Sequence, residues 1–116
     1  MNGITATELE LLACFGAEPH LLDANVPWCY STASYAVDVD GLSVSFTVLP
    51  SYRDVRLIVR RGKQQMLEFS AVGVVDVRVI DERGVDAVDV LLSPQSWLRL
   101  RLRPTFGITQ RFEGNV

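Results

Sequence analysis

From Leu42 onward, apolar side chains recur at every second position, in runs such as Leu42, Val44, Phe46 and Val48, then Val55, Leu57 and Val59, and later Leu98, Leu100 and Leu102. Period two is the repeat of a strand with one face in a core and the other in water. A helix turns about 100° per residue and would scatter the same side chains around its surface. The runs are short and end in turn chemistry: Asp40-Gly41, Pro50-Ser51-Tyr52-Arg53-Asp54, Arg61-Gly62-Lys63, Glu82-Arg83-Gly84 and Ser93-Pro94-Gln95. Asp-Gly is a strong two-residue hairpin signal, because both turn positions must tolerate positive φ. Strands separated by turns about every eight to twelve residues predict a mainly β (α+β) fold. The expectation is an antiparallel meander of seven to eight strands forming a sandwich or a partly open barrel.

The N-terminus follows a different rule. Thr7-Glu8-Leu9-Glu10 has the spacing of a capping box, and Gly16 suits a left-handed helix end. Between them Leu9, Leu12 and Ala13, with Phe15, form an apolar stripe at three-to-four spacing. Glu18-Pro19-His20-Leu21-Leu22 reads as one further helical turn with Pro19 at its first position. A helical region over 5–24 is therefore expected to pack on a β region over 28–112. At 116 residues, 48% hydrophobic and 22% charged, the chain has the size and composition of one globular domain, 1–116. No apolar stretch is long enough to cross a bilayer as a helix, and the first residues lack the basic and apolar regions of a secretory signal. A cytoplasmic protein is the expectation.

Charge is divided along the chain. Residues 1–50 hold Glu8, Glu10, Glu18, Asp23, Asp38 and Asp40 and no Lys or Arg, a net of −6. Residues 51–116 hold all 11 bases against 8 acids, a net of +3. An uncompensated acidic segment can steer a basic protein partner, or it can face the chain's own arginines. Arg99, Arg101 and Arg103 fall on one face of a predicted strand. They could bind phosphates, but Asp76, Asp86 and Asp89 on neighbouring strands offer cross-strand pairs that explain the row without a ligand. Nucleic acid is not expected as a partner.

The residues that carry catalysis are sparse. His20 is the single histidine, and Cys14 and Cys29 read as two reduced, partly buried thiols. Asp38, Asp40 and Gly41 begin like a calcium loop, but the later ligands are replaced by a strand. No cofactor and no metal are expected, and no catalytic residue is assigned. Trp28 lies in the aromatic segment Val26-Pro27-Trp28-Cys29-Tyr30, which reads as the lock between helix and sheet, or as an interface anchor.

The acidic N-terminal helix, the Glu18-Pro19-His20-Leu21-Leu22-Asp23 and Val26-Pro27-Trp28-Cys29-Tyr30 segments, and the Pro50–Val55 turn leading into alternating strands resemble the layout of small bacterial immunity-type proteins. The resemblance implies a non-enzymatic protein that neutralises a cognate toxin by binding it. The candidate partner-binding residues are Glu8, Glu10, Glu18, Asp23, Trp28, Asp38 and Asp40, facing a basic toxin domain, with Arg99, Arg101 and Arg103 as the alternative patch. Two other readings stay open: a structural or assembly module that forms homo-oligomers through an exposed strand edge, and a small enzyme whose carboxylates assemble in space.

Overall fold

The computed structural model describes residues 4–112; Met1–Gly3, which entered the reading of the N-terminus, lie outside the described residues. Period-two patterning produces nine strands there: β1 (His20–Leu21), β2 (Ala33–Val39), β3 (Leu42–Leu49), β4 (Asp54–Arg61), β5 (Gln64–Ala71), β6 (Asp76–Glu82), β7 (Val85–Ser93), β8 (Ser96–Arg103) and β9 (Gly107–Arg111). They form two antiparallel meanders, one of five strands in the order β1-β2-β3-β4-β5 and one of four in the order β6-β7-β8-β9. Neither sheet closes into a barrel. The strand beyond the seven or eight expected is β1, which replaces the helical turn read at Pro19; His20 and Leu21 pair instead with Ser34 and Ala33.

Turn chemistry sets the register. Asp40 and Gly41 both have positive φ, 51° and 79°, the geometry that matches the right-handed twist of the two strands it joins. The resulting β2–β3 ladder places Tyr35 opposite Phe46. Leu57 and Phe69 continue the same row on β4 and β5. In the second sheet Val79, Val88, Leu100 and Ile108 line up likewise. The inner faces share one apolar cluster, in which Tyr35, Val48, Val77 and Val88 are fully buried.

The pattern slips where the chain passes between sheets. Alternation predicts Val75 inward with Val77 and Val79, yet Val74 is the buried residue and Val75 is 44% exposed. The link is held by hydrogen bonds rather than by a ladder: the Gly73 amide donates to Asp54 Oδ1 at 3.1 Å and the Val74 amide to the Arg53 carbonyl at 2.8 Å. Crossing between layers resets the phase.

Helix α1 (Glu8–Phe15) begins and ends as its sequence predicts. Thr7 Oγ1 accepts from the Glu10 amide at 3.1 Å, Glu10 Oε1 accepts from the Thr7 amide at 3.0 Å, and Gly16 adopts the left-handed conformation. Its inward face keeps Phe15 from the expected stripe and exchanges the rest. Leu11, Cys14 and Phe15 are buried, whereas Leu9 is 76% exposed and Ala13 is exposed. The stripe at 11, 14 and 15 has the same spacing as the one at 9, 12 and 13, and it wins because it carries the phenylalanine. The Phe15 ring stacks on Tyr35 at 5.4 Å and on Phe46 at 5.9 Å. An eight-residue helix is too short to persist alone, so this stacking holds it in place. It lies against β2 of one sheet and β6 and β7 of the other.

The helix approach is fastened by a carboxylate. Asp76 accepts from the Thr5 amide at 2.7 Å and from Thr5 Oγ1 at 2.5 Å, rather than facing the arginine row. Burial pushes its carboxyl up, but the bonds from Thr5 and from the Val77 amide, with the Arg78 charge nearby, outweigh this and hold it below the ordinary aspartate value of 3.8.

Two outcomes follow. Phe15→Ala should cost about 3–5 kcal/mol in denaturant unfolding, the range for emptying a buried aromatic site. Because the folded carboxyl titrates below the unfolded one, Asp76 stabilises the fold above the ordinary aspartate range, and that contribution is lost as pH falls through the lowered folded value. The stability gap between wild type and Asp76→Asn should be level at neutral pH, no more than about 1 kcal/mol at this solvent-screened position, and should close in acid. Urea titrations at stepped pH read it directly.

Candidate functional site

The sequence-predicted acids do not converge on one spot. Glu8 and Glu10 stand in the first turn of α1, where carboxylates complement the helix dipole. Glu10 is also committed to the capping box. Asp23 caps the loop after β1 by accepting from the Asn25 amide at 3.0 Å. Asp38 accepts from Ser43 Oγ at 3.1 Å across the β2–β3 hairpin. Asp40, in the turn of that hairpin, accepts from the Phe106 amide at 2.7 Å and ties the two sheets together at this end. Glu8 and Glu18 are exposed, and their side chains make no hydrogen bond or ion pair among the described residues.

Trp28 is a lock. It opens a single 3₁₀ turn over Trp28–Tyr30, and its indole Nε1 donates to Tyr35 Oη at 2.9 Å. Tyr35 is fully buried, and desolvation raises its phenol to about 12 even though the bond from Trp28 acts in the opposite direction. Two aromatic side chains near it reach solvent instead. The Ser51 amide donates to the Cys29 carbonyl at 3.0 Å and joins the 3₁₀ turn to the β3–β4 turn, leaving Tyr30 69% and Tyr52 71% exposed. Tyrosine is enriched among the residues that dominate binding interfaces. Tyr30, inside the β region expected over 28–112, belongs to this turn instead, its amide donating to the Pro27 carbonyl at 2.9 Å.

The arginine row is spent on the protein itself. Arg99 pairs with both oxygens of Asp89 at 2.6 and 2.9 Å, and this bonding raises the guanidinium above its ordinary range against the opposing effect of burial. Arg101 donates to the Thr105 carbonyl at 2.9 Å and lies against Gly107, where a Cβ would sit 2.6 Å from its Nη2. Arg103 pairs with Asp86 through Nε. Its Nη2 donates to the carbonyls of Ala13 at 3.2 Å and Cys14 at 2.8 Å, capping the C-terminal end of α1. Cross-strand pairing thus accounts for Arg99 and Arg103, through two of the three suggested acids, Asp89 and Asp86, while Arg101 is spent on the turn after β8 and Asp76 is committed elsewhere.

The thiols differ in kind. Cys14 is buried, and desolvation, reinforced by Asp86 and Asp81 and opposed by Arg103, pushes it up to about 12. It is a poor nucleophile at neutral pH. Cys29 is exposed rather than partly buried, because the 3₁₀ turn points it away from the core. Exposed His20 lies on β1.

The architecture is that of two stacked antiparallel meanders with a capped helix fitted along one side. Among solved structures, this chain is similar to one in the contact-dependent growth inhibition toxin–immunity protein complex from Klebsiella pneumoniae 342, with a TM-score of 0.75 and 22% identity over 96% of this chain and 98% of that one. The likeness to immunity-type proteins seen in the layout of the sequence therefore meets a shared fold from a toxin–immunity complex. No protein-family model and no curated protein matches the chain.

Thiol chemistry checks the placement of the cysteines. One thiol per chain should react promptly with a maleimide or with Ellman's reagent under native conditions, and two should react in guanidinium chloride. Cys29→Ser should leave the native protein unreactive.

Proposed function

We propose that this chain is a non-enzymatic protein-binding domain of the immunity kind, which neutralises a basic toxin domain by occupying it. The observation that carries this reading is the end-to-end fold match to a chain of a toxin–immunity complex. Charge supports it: the acids concentrated in residues 1–50 include Glu8 and Glu18, exposed and without intramolecular bonds among the described residues. The chemistry of the polar groups supports it too, since Asp23, Asp38, Asp40 and Arg99–Arg103 serve caps, turns and ladders, and the buried thiol of Cys14 is held protonated. Acids placed this way speed encounter with a cationic partner and add salt dependence to the affinity.

A second reading is favoured by β5. Gln64–Ala71 is an eight-residue strand that, among the described residues, pairs on one side only, with β4, and Met66 on it is 53% exposed. Unpaired strand edges template self-association.

Sedimentation of the chain alone, and mixed with a basic toxin domain sought among the genes neighbouring its own, separates the two. The immunity reading expects a monomer that forms a one-to-one complex and protects cells producing that domain. Affinity should fall about tenfold between low and moderate salt and again in Glu8→Lys with Glu18→Lys. Absence of any complex and of protection overturns it, and a stable homo-oligomer favours the edge-strand reading.

A further inference from the structure

Beside α1 runs a groove of about 260 Å³ that none of the roles above employs. It is lined by Leu9, Glu10, Ala13 and Cys14 from the helix and by Val79, Asp81 and Asp86 from β6 and β7. We infer that this groove is a side-chain socket for a lysine or arginine of the protein partner, the aliphatic stem resting on Leu9, Ala13 and Val79 and the cation meeting Asp81, Asp86 and Glu10. The inference rests on the immunity reading for the partner's identity, but not for the chemistry of the socket.

Three features select this occupant. The first is Leu9, a large apolar side chain left 76% exposed at the lip of the groove. Lysine and arginine bury their methylene stems on such surface while their heads stay polar. The second is charge. Glu10, Asp81 and Asp86 bring three carboxylates; Glu10 Oε1 also accepts from the Thr7 amide, and Asp86 pairs with Arg103 Nε, whose Nη2 is turned to the helix carbonyls. Asp81 is exposed and makes no hydrogen bond or ion pair among the described residues. The field is felt locally, since Asp86 and Asp81 both add to the raising of the Cys14 thiol. The third is size: small-molecule sites occupy roughly 300–1,000 Å³, so a groove of about 260 Å³ suits a side chain better than a free ligand. The apolar lip and the acidic wall are contributed by segments some seventy residues apart, Leu9–Cys14 and Val79–Asp86, which is why no local motif announces them.

A fragment tests the socket without the partner. Titrating n-butylguanidinium into the ¹⁵N-labelled protein should shift the amides of Leu9, Glu10, Ala13, Val79, Asp81 and Asp86, and the response should vanish in Asp81→Arg. No response, an equal response to n-butanol, or shifts spread over distant acids such as Asp38 and Asp40 would each overturn it. In the complex with that toxin domain, Leu9→Arg and Asp81→Arg should each weaken binding about 10- to 100-fold. Both positions are exposed, so thermal melts should match wild type. If wild type binds and both variants bind equally well, the socket is wrong and the immunity reading stands. If wild type does not bind, that reading fails and the guanidinium titration still decides the socket.

Discussion

The Phe15 ring, stacked on Tyr35 and Phe46, is the contact on which the arrangement turns. Two open meanders leave a flank where the inner faces would meet water. The helix fills that flank only because one large aromatic side chain reaches the centre of the first sheet. Tyr35 then needs a partner for its buried hydroxyl, and Trp28 supplies it. The helix, the sheet and the loop after β1 are thereby committed to one another, and removing the aromatic ring loosens all three.

Polar interactions do a second kind of work, fastening elements distant in sequence. Asp76 holds the approach to the helix through Thr5, Arg103 of β8 closes its C-terminal end, and Asp40 binds the Phe106 amide across the two sheets. Each uses a charged group to satisfy backbone or hydroxyl groups that a helix end, a loop or a turn would otherwise leave to solvent. This consumption of charge separates structural from available groups. Most of the acids and arginines that stand out in the sequence serve the fold, while Glu8 and Glu18, like Asp81 on β6, make no hydrogen bond or ion pair among the described residues.

A fold shared with a chain from a toxin–immunity complex at 22% identity fits a protein whose core is constrained while its surface is free to vary. The rows from Tyr35 to Phe69 and from Val79 to Ile108 need only apolar side chains of suitable bulk. The exposed rim, including the tyrosines at 30 and 52 and the lip at Leu9, carries no such requirement, so it can vary without disturbing the layers.

The sequence by itself determined whatever depends on neighbours along the chain: the strand runs, the Asp40-Gly41 turn, the Thr7–Glu10 cap and the Gly16 stop, all governed by local sterics and hydrogen bonds. It also supplied the acids that would pair with the arginine row, although Asp76 went to Thr5 instead. Tertiary structure decided what local rules leave degenerate. The stripe read on α1 held Phe15 with Leu9, Leu12 and Ala13, and only docking against Tyr35 and Phe46 turned Leu11 and Cys14 inward beside Phe15 in place of Leu9 and Ala13. His20 and Leu21 became a strand because an edge of β2 was there to pair with, and Val74 rather than Val75 turned inward because the chain changes sheets at that point. The groove that joins Leu9 to Asp81 and Asp86 belongs to the same category, since it exists only once the helix is laid beside β6.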